Sequence, residues 1–174
     1  MNVDSKPKQV VEKATTEENK NKYKDYGSKI AKVLEKFDEV LQANPNAKII
    51  LFVQYRRLAN LIESALNNFQ IPLVRLHGTT AMRNRAISGF KYNNQTKVIM
   101  LSSEDSVSGL HLPEATHIFI VHPFWFGDGK DDQAIAAEKQ GIARAYRMGL
   151  DHELQVYRFV TRNTIEESVA KARL

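Results

Sequence analysis

The sequence predicts an α/β fold, a mostly parallel sheet with helices on both faces. Three observations predict it. The apolar pattern alternates between short continuous runs and stripes repeating every three to four residues, the signatures of buried strands and amphipathic helices. The short runs are rich in β-branched and aromatic residues, as strands covered on both faces require. Strand and helix alternate five times along the chain, which favours crossover connections between parallel strands.

The elements follow in order. "MNVDSKPKQVVEKATTEENKNKYKDYG" is rich in Lys, Glu, Asn and Thr with little periodicity, so residues 1–27 read as a polar, basic arm or linker and 28–174 as the domain. Ser28 is placed to cap a helix whose stripe is Ile30, Val33, Leu34, Phe37, Val40 and Leu41, with Asn44-Pro45 as the stop. "KIILFVQY" (48–55) reads as a doubly covered strand, and "RRLANLIESALNNF" as a helix with Leu58, Leu61, Ile62, Ala65, Leu66 and Phe69 in register. Strand 72–78, helix 80–90, strand 97–103 and, after a loop-rich passage, strand 117–123 continue the cycle. Then come a helix containing "QGIARAYRMG" (140–149), the strand "LQVYRFVT" (154–161) and a last helix announced by Thr164-Ile165-Glu166-Glu167, a capping-box pattern.

The 174 residues carry a net charge of +5 and no cysteine. That length supports one domain with a sizeable core. The charge is compatible with a polyanion partner without requiring one. The missing cysteines exclude a disulfide scaffold, a RING or zinc finger and a thiol nucleophile within these residues, and the histidines lack metal-ligand spacing. No apolar run approaches membrane-spanning length and no secretory signal opens the chain, so an intracellular protein without membrane contact is expected.

In open α/β sheets ligands gather at the carboxyl ends of the strands. The loops there are "QYRR", "HGTT", "SSEDSVSG" and "HPFWFGDGKDD"; three join small hydroxyl or glycine residues to a following helix, whose first amides suit phosphate. Turn chemistry alone explains any one of them; several on one edge point to an anionic ligand. Gln140, Arg144 and Arg147 recur at spacings of four and three, which stacks them on one helical face and points two guanidiniums the same way.

The ordered series "KIILFVQY", "VRLHGTT", "VIMLSSEDSVSGLHLPEATHIFIVHPFW" and "QGIARAYRMG…LQVYRFVTRNTIEE" resembles the second RecA-like lobe of superfamily 2 helicase-type ATPases, particularly the Swi/Snf branch, over residues 28–174. "GLHLPEATHIFIVHP" is similar to the Swi/Snf ATPases that carry a RING ubiquitin-ligase module. The resemblance implies that Arg144 and Arg147 act as catalytic arginine fingers toward ATP held on a first lobe, with Gln140 and Gly109 on the nucleotide side. It places Gln54, Arg56, Gly78, Thr79, Ser102 and Ser103 along a nucleic-acid phosphate track that grips backbone without reading bases. It implies ATP and Mg2+ as the cofactors of a longer parent, held mainly by its first lobe, and neither on this chain alone, where no G-x-x-x-x-G-K-[ST] loop and no Asp-Glu-x-His motif occurs. Its partners would be that lobe, double-stranded DNA with RNA as an alternative, and chromatin or ubiquitin-pathway proteins, in the nucleus of a eukaryote.

The chain departs from the family pattern. Asp105, Ser106 and Val107, preceded by Glu104, stand where Ala-Gly-Gly is usual, Ala143 replaces a glycine, Tyr146 a histidine and Leu150 a glutamine. Carboxylates beside a phosphate track repel it, so a degenerate, non-catalytic module that binds protein or nucleic acid is the second reading. An unrelated doubly wound enzyme for a phosphorylated small molecule is the third. "FGDGKDDQAIAAEK" looks like an inserted loop, and Trp125, the single tryptophan, is expected to be packed rather than stacked on a base.

Overall fold

The computed structural model describes residues 22–102, 110–146 and 152–173. Five strands, β1 Ile49–Phe52, β2 Leu73–Arg75, β3 Val98–Leu101, β4 His117–Ile120 and β5 Gln155–Arg158, form one sheet in the order β2-β3-β1-β4-β5, all pairs parallel. The helices are α1 Gly27–Ala43, α2 Arg56–Asn68, α3 Thr80–Tyr92, α4 Asp131–Ala143 and α5 Ile165–Arg173. No described helix is long and apolar enough to cross a membrane.

The strands are short and their side chains alternate between two cores. Ile49, Leu51 and Val53 face a core with α1 and α2, built around Val33, Phe37, Ile62 and Leu66. Ile50 and Phe52 face a second with α3 and α4, built around Phe90, Ile118, Phe124 and Ala134. The helical-face expectation holds, and α5 alone among the helices has no buried residue. It lies at the carboxyl rim of the sheet, tied by side chains described below.

Two boundaries differ from the sequence reading. The arm was expected to reach residue 27, yet Tyr23 is fully buried; it packs edge-on against Phe69 at 4.7 Å, its hydroxyl donates to Asp38, and Lys22 pairs with the same carboxylate at 2.8 Å. One aromatic anchor in a polar stretch leaves no periodic trace. Ser28 does not cap α1, because a 3₁₀ turn over Lys24–Tyr26 runs into the helix and Gly27 already starts it.

The third difference matters for the site. The stretch expected to be an inserted loop is mostly α4, and the helix expected to carry Arg144 and Arg147 ends at Ala143. α4 is built on small residues: Ala134 and Gly141 are its buried positions, so its apolar face is weak in the sequence. A Cβ on Gly141 would stand 2.9 Å from Cζ of Phe52, a ring itself buried and unable to swing clear. Only glycine lets the helix approach β1 this closely. Gly141→Val is expected to cost on the order of 1–3 kcal/mol by overpacking, read as a lowered denaturant midpoint. After Ala143 a turn follows, in which Ala145 is buried and the Arg144 carbonyl accepts from the Leu112 amide at 2.9 Å.

His117 opens β4 in a buried position, its Nδ1 2.7 Å from Thr116 Oγ1 and its ring stacked over Tyr157. Burial first, then His152 and Lys36, lowers it from 6.5 to about 4. Between those values the unfolded chain binds a proton that the folded chain refuses. Stability is therefore complete above pH 6.5 and falls as the pH drops toward 4, by on the order of 3 kcal/mol from this residue. His117→Gln should flatten that part of a plot of thermal midpoint against pH.

Candidate nucleic-acid and nucleotide interface

The carboxyl ends of β1, β2 and β3 open onto a cleft of about 570 Å³ lined by Val53, Gln54, Arg56, Ala59, Asn60, Arg75, Leu76, His77, Arg83, Met100, Leu101 and Ser102. Topology makes it: β3 lies between β1 and β2, so three sequence-distant loops meet on one edge. Three arginines and no carboxylate are among these lining residues, so the lining is cationic, with Glu63 offsetting Arg75. Arg75 is held in place by Asn60 Oδ1 at 2.7 Å and Glu63 at 3.1 Å.

Thr79 bounds the cleft as the N-cap of α3, its Oγ1 accepting from the Met82 amide at 3.3 Å. Gly78 before it has φ +79°, a conformation that side chains resist, and a Cβ there would stand 2.8 Å from Met82 Sδ. Of the residues picked by sequence reasoning, Gln54, Arg56 and Ser102 line the cleft, while Gly78 and Thr79 stand just outside its lining, at the start of α3. That reasoning missed Arg75, His77 and Arg83. Their signal was present, since Arg75 and His77 flank Leu76 in the same "VRLHG" run and Arg83 lies four residues past Thr79, one turn into α3. Ser103 and Gly109 fall outside the described residues.

The end of β1 is also joined to the loop after β4. Gln54 Nε2 donates to the Trp125 carbonyl and Gln54 Oε1 accepts from the Trp125 amide at 2.8 Å. The Gln54 amide in turn donates to His122 Nε2 at 3.0 Å. His122 Nδ1 is 3.1 Å from the Pro123 carbonyl, so both contacts are satisfied by the neutral ring with its proton on Nδ1. Burial lowers the His122 pKa, which keeps that form. Tyr55 stacks on the ring at 4.7 Å. Phe124 takes the buried place expected of Trp125, which is instead 36% exposed: adjacent residues of an extended segment face opposite ways.

Beneath this rim, Lys29 of α1 donates to the carbonyls of Val121 at 2.7 Å and Phe159 at 3.3 Å and pairs with Glu166 of α5. Burial lowers the Lys29 pKa against the opposing pull of Glu166. Burial alone would raise Glu166, but the bonds from Lys29 and the Thr161 amide outweigh it and hold the carboxyl low. At the far end of α5, Arg173 donates to the Phe124 carbonyl at 2.8 Å and to Asp131 at 2.6 Å.

Of the expected stripe of Gln140, Arg144 and Arg147, the first two fall among the described residues. Gln140 is exposed near the end of α4, whereas Arg144 is 5% exposed in the turn that follows. Arg147 lies outside the described residues. Arg144 is the C-cap of α4 and keeps helical backbone angles, φ −66° and ψ −36°. Among the described residues no group of three or more His, Asp or Glu side chains could hold a metal ion.

The helicase conserved C-terminal domain family matches residues 31–149, from within α1 past the end of α4. The chain belongs to the helicase C-terminal domain family. Its relatives in that family include DNA repair protein rad5 of Neurospora crassa, 30% identical over 82% of this chain and 11% of that protein. Another is the SWI/SNF-related, matrix-associated, actin-dependent regulator of chromatin subfamily A member 3-like 1 of Arabidopsis thaliana, 30% identical over 82% of this chain and 16% of that protein. The solved C-terminal part of the Fun30 ATPase domain superposes with a TM-score of 0.70 at 19% identity, covering 91% of this chain and 47% of that one, and shares the RecA-like fold. The helicase C-terminal domain here is thus of the SWI/SNF-related type, and it spans only a small part of the curated relatives it matches.

Proposed function

We propose that this chain is the second RecA-like lobe of a nuclear, DNA-dependent ATPase, forming one wall of a nucleotide pocket and part of a duplex-DNA track. The cationic cleft at the ends of β1, β2 and β3 carries this reading. A phosphate backbone is the ligand that an arginine-lined groove flanked by a helix N-terminus suits best. Arg56, Gly78, Thr79, Ser102 and Ser103 then form the track, with Gln54 at its border and Arg75, His77 and Arg83 added to it. Contact is to phosphate, so affinity is insensitive to sequence.

ATP and Mg2+ would sit mainly on a first lobe and supply the phosphoryl group whose transfer drives movement. On this chain, exposed Gln140 and Gly109 border the nucleotide and Arg147 reaches the transferring phosphate. Arg144, being buried, fits less well as a direct finger and serves best by holding the segment that bears Arg147. Chromatin or ubiquitin-pathway proteins are the partners in keeping with Rad5-type and SWI/SNF-related relatives.

Titration of this chain with a duplex oligonucleotide at several salt concentrations tests the track. Log affinity should fall linearly with log salt, and Arg56→Ala should reduce the slope by about one unit. An affinity independent of salt contradicts the reading. The burial of Arg144 also favours a second reading, a lobe that kept the fold and binds DNA without supporting hydrolysis. DNA binding without any gain in ATP turnover on joining a first lobe would select it.

A further inference from the structure

We propose that Gln54 and His122 are positioning residues, which fasten the Trp125 loop to the edge of the cleft so that the cleft and α4 keep one fixed relation. The consequence for DNA rests on the phosphate-track reading above; the positioning itself does not. Five observations carry it.

The Gln54 carboxamide exchanges two hydrogen bonds with the main chain of one residue, Trp125, donating to its carbonyl and accepting from its amide. Glutamate lacks the donor, and asparagine is one methylene shorter. His122 adds a second fastening from the opposite side: its ring belongs to the β4 loop and accepts the Gln54 main-chain N–H. Tyr55, next in sequence after Gln54, covers that ring face to face, so both participants come from the same two loops.

The loop itself needs such fastening. Phe124 seats the loop in the core, but beyond it Gly127 and Gly129 both have positive φ with open space where a side chain would be, so no side chain holds those two positions. Arg173 holds its other side at Phe124 and Asp131. Asp131 begins α4, which carries Gln140 near its end and is followed by Arg144. Loosening the Gln54 side would therefore free the start of the helix that leads to the nucleotide wall, while the core strands stay as they are.

The test uses this chain and two probes placed by nature. Trp125 is its single tryptophan, and the Trp125 amide is the group that Gln54 holds. In Gln54→Ala, hydrogen exchange at the Trp125 amide should quicken by about tenfold, the effect of one net hydrogen bond lost, and acrylamide should quench Trp125 more strongly. Exchange at Ile50 and Ile99, in the sheet, should not change. Gln54→Met keeps the length and bulk of the side chain without either hydrogen-bonding group and should exchange as fast as the alanine variant, a result that a merely structural role for side-chain bulk would not give. His122→Ala should quicken exchange at the Gln54 amide in the same way; if it does not fold, the two Gln54 variants suffice.

An equally protected Trp125 amide in Gln54→Ala overturns the proposal, as does a Gln54→Met protein whose Trp125 amide stays as protected as in the unaltered chain. None of these readouts contains DNA. A chain that shows the expected exchange pattern yet binds no duplex oligonucleotide keeps the positioning role and loses the track.

Discussion

Arg147→Ala, in a two-lobe protein made by joining this chain to a helicase first lobe, should lower ATP turnover by about 10³-fold or more while leaving nucleotide affinity nearly unchanged. An arginine finger acts on charge that develops only as the phosphoryl group moves, so its loss appears in the catalytic rate and not in ground-state binding. Steady-state turnover beside equilibrium binding of a fluorescent nucleotide separates the two. Arg147→Lys should recover little, because an ammonium does not reproduce the planar fork of a guanidinium. A variant with near-normal turnover removes the finger role.

Phe52→Ala should cost about 3–5 kcal/mol of folding stability. Phe52 is 1% exposed on the central strand β1, its ring meets Phe124 at 5.8 Å, and it fills the space that Gly141 leaves. Removing it empties the seat of α4 and the anchor of the β4 loop together. Since a domain of this size has a total of about 5–15 kcal/mol, the variant should lose a large share of its stability and unfold at a clearly lower urea midpoint. Urea denaturation followed by circular dichroism gives the figure; a loss below about 1 kcal/mol would mean that α4 does not pack where described.

The sheet was legible because its strands are covered on both sides. A continuous run such as Ile49–Phe52 can hardly be anything but a buried parallel strand, and the stripes of α1 and α2 are dense enough to mark their buried faces. α4 was not legible, because alanine and glycine carry its packing and the eye settles on the arginines beyond it. Arg144 is buried and its carbonyl meets the distant Leu112 amide, a pairing that no local pattern encodes.

The same distinction holds for the site. Gly78 and Thr79 announce themselves through turn and cap chemistry, and both stand where that chemistry puts them. Arg75 and His77 belong to the cleft only because β3 intervenes between β1 and β2, a strand order that periodicity does not contain. The two-point bond between Gln54 and Trp125 spans 71 positions, and nothing in the residues between them foretells it.

ATP turnover by a helicase first lobe, measured alone and after joining to this chain, with and without duplex DNA, tests the central claim most directly. The account predicts that joining raises turnover by about 10³-fold in the presence of DNA, with a smaller rise in its absence. Equal turnover before and after joining, with both lobes folded and nucleotide bound, would show that this chain supplies no wall to the pocket.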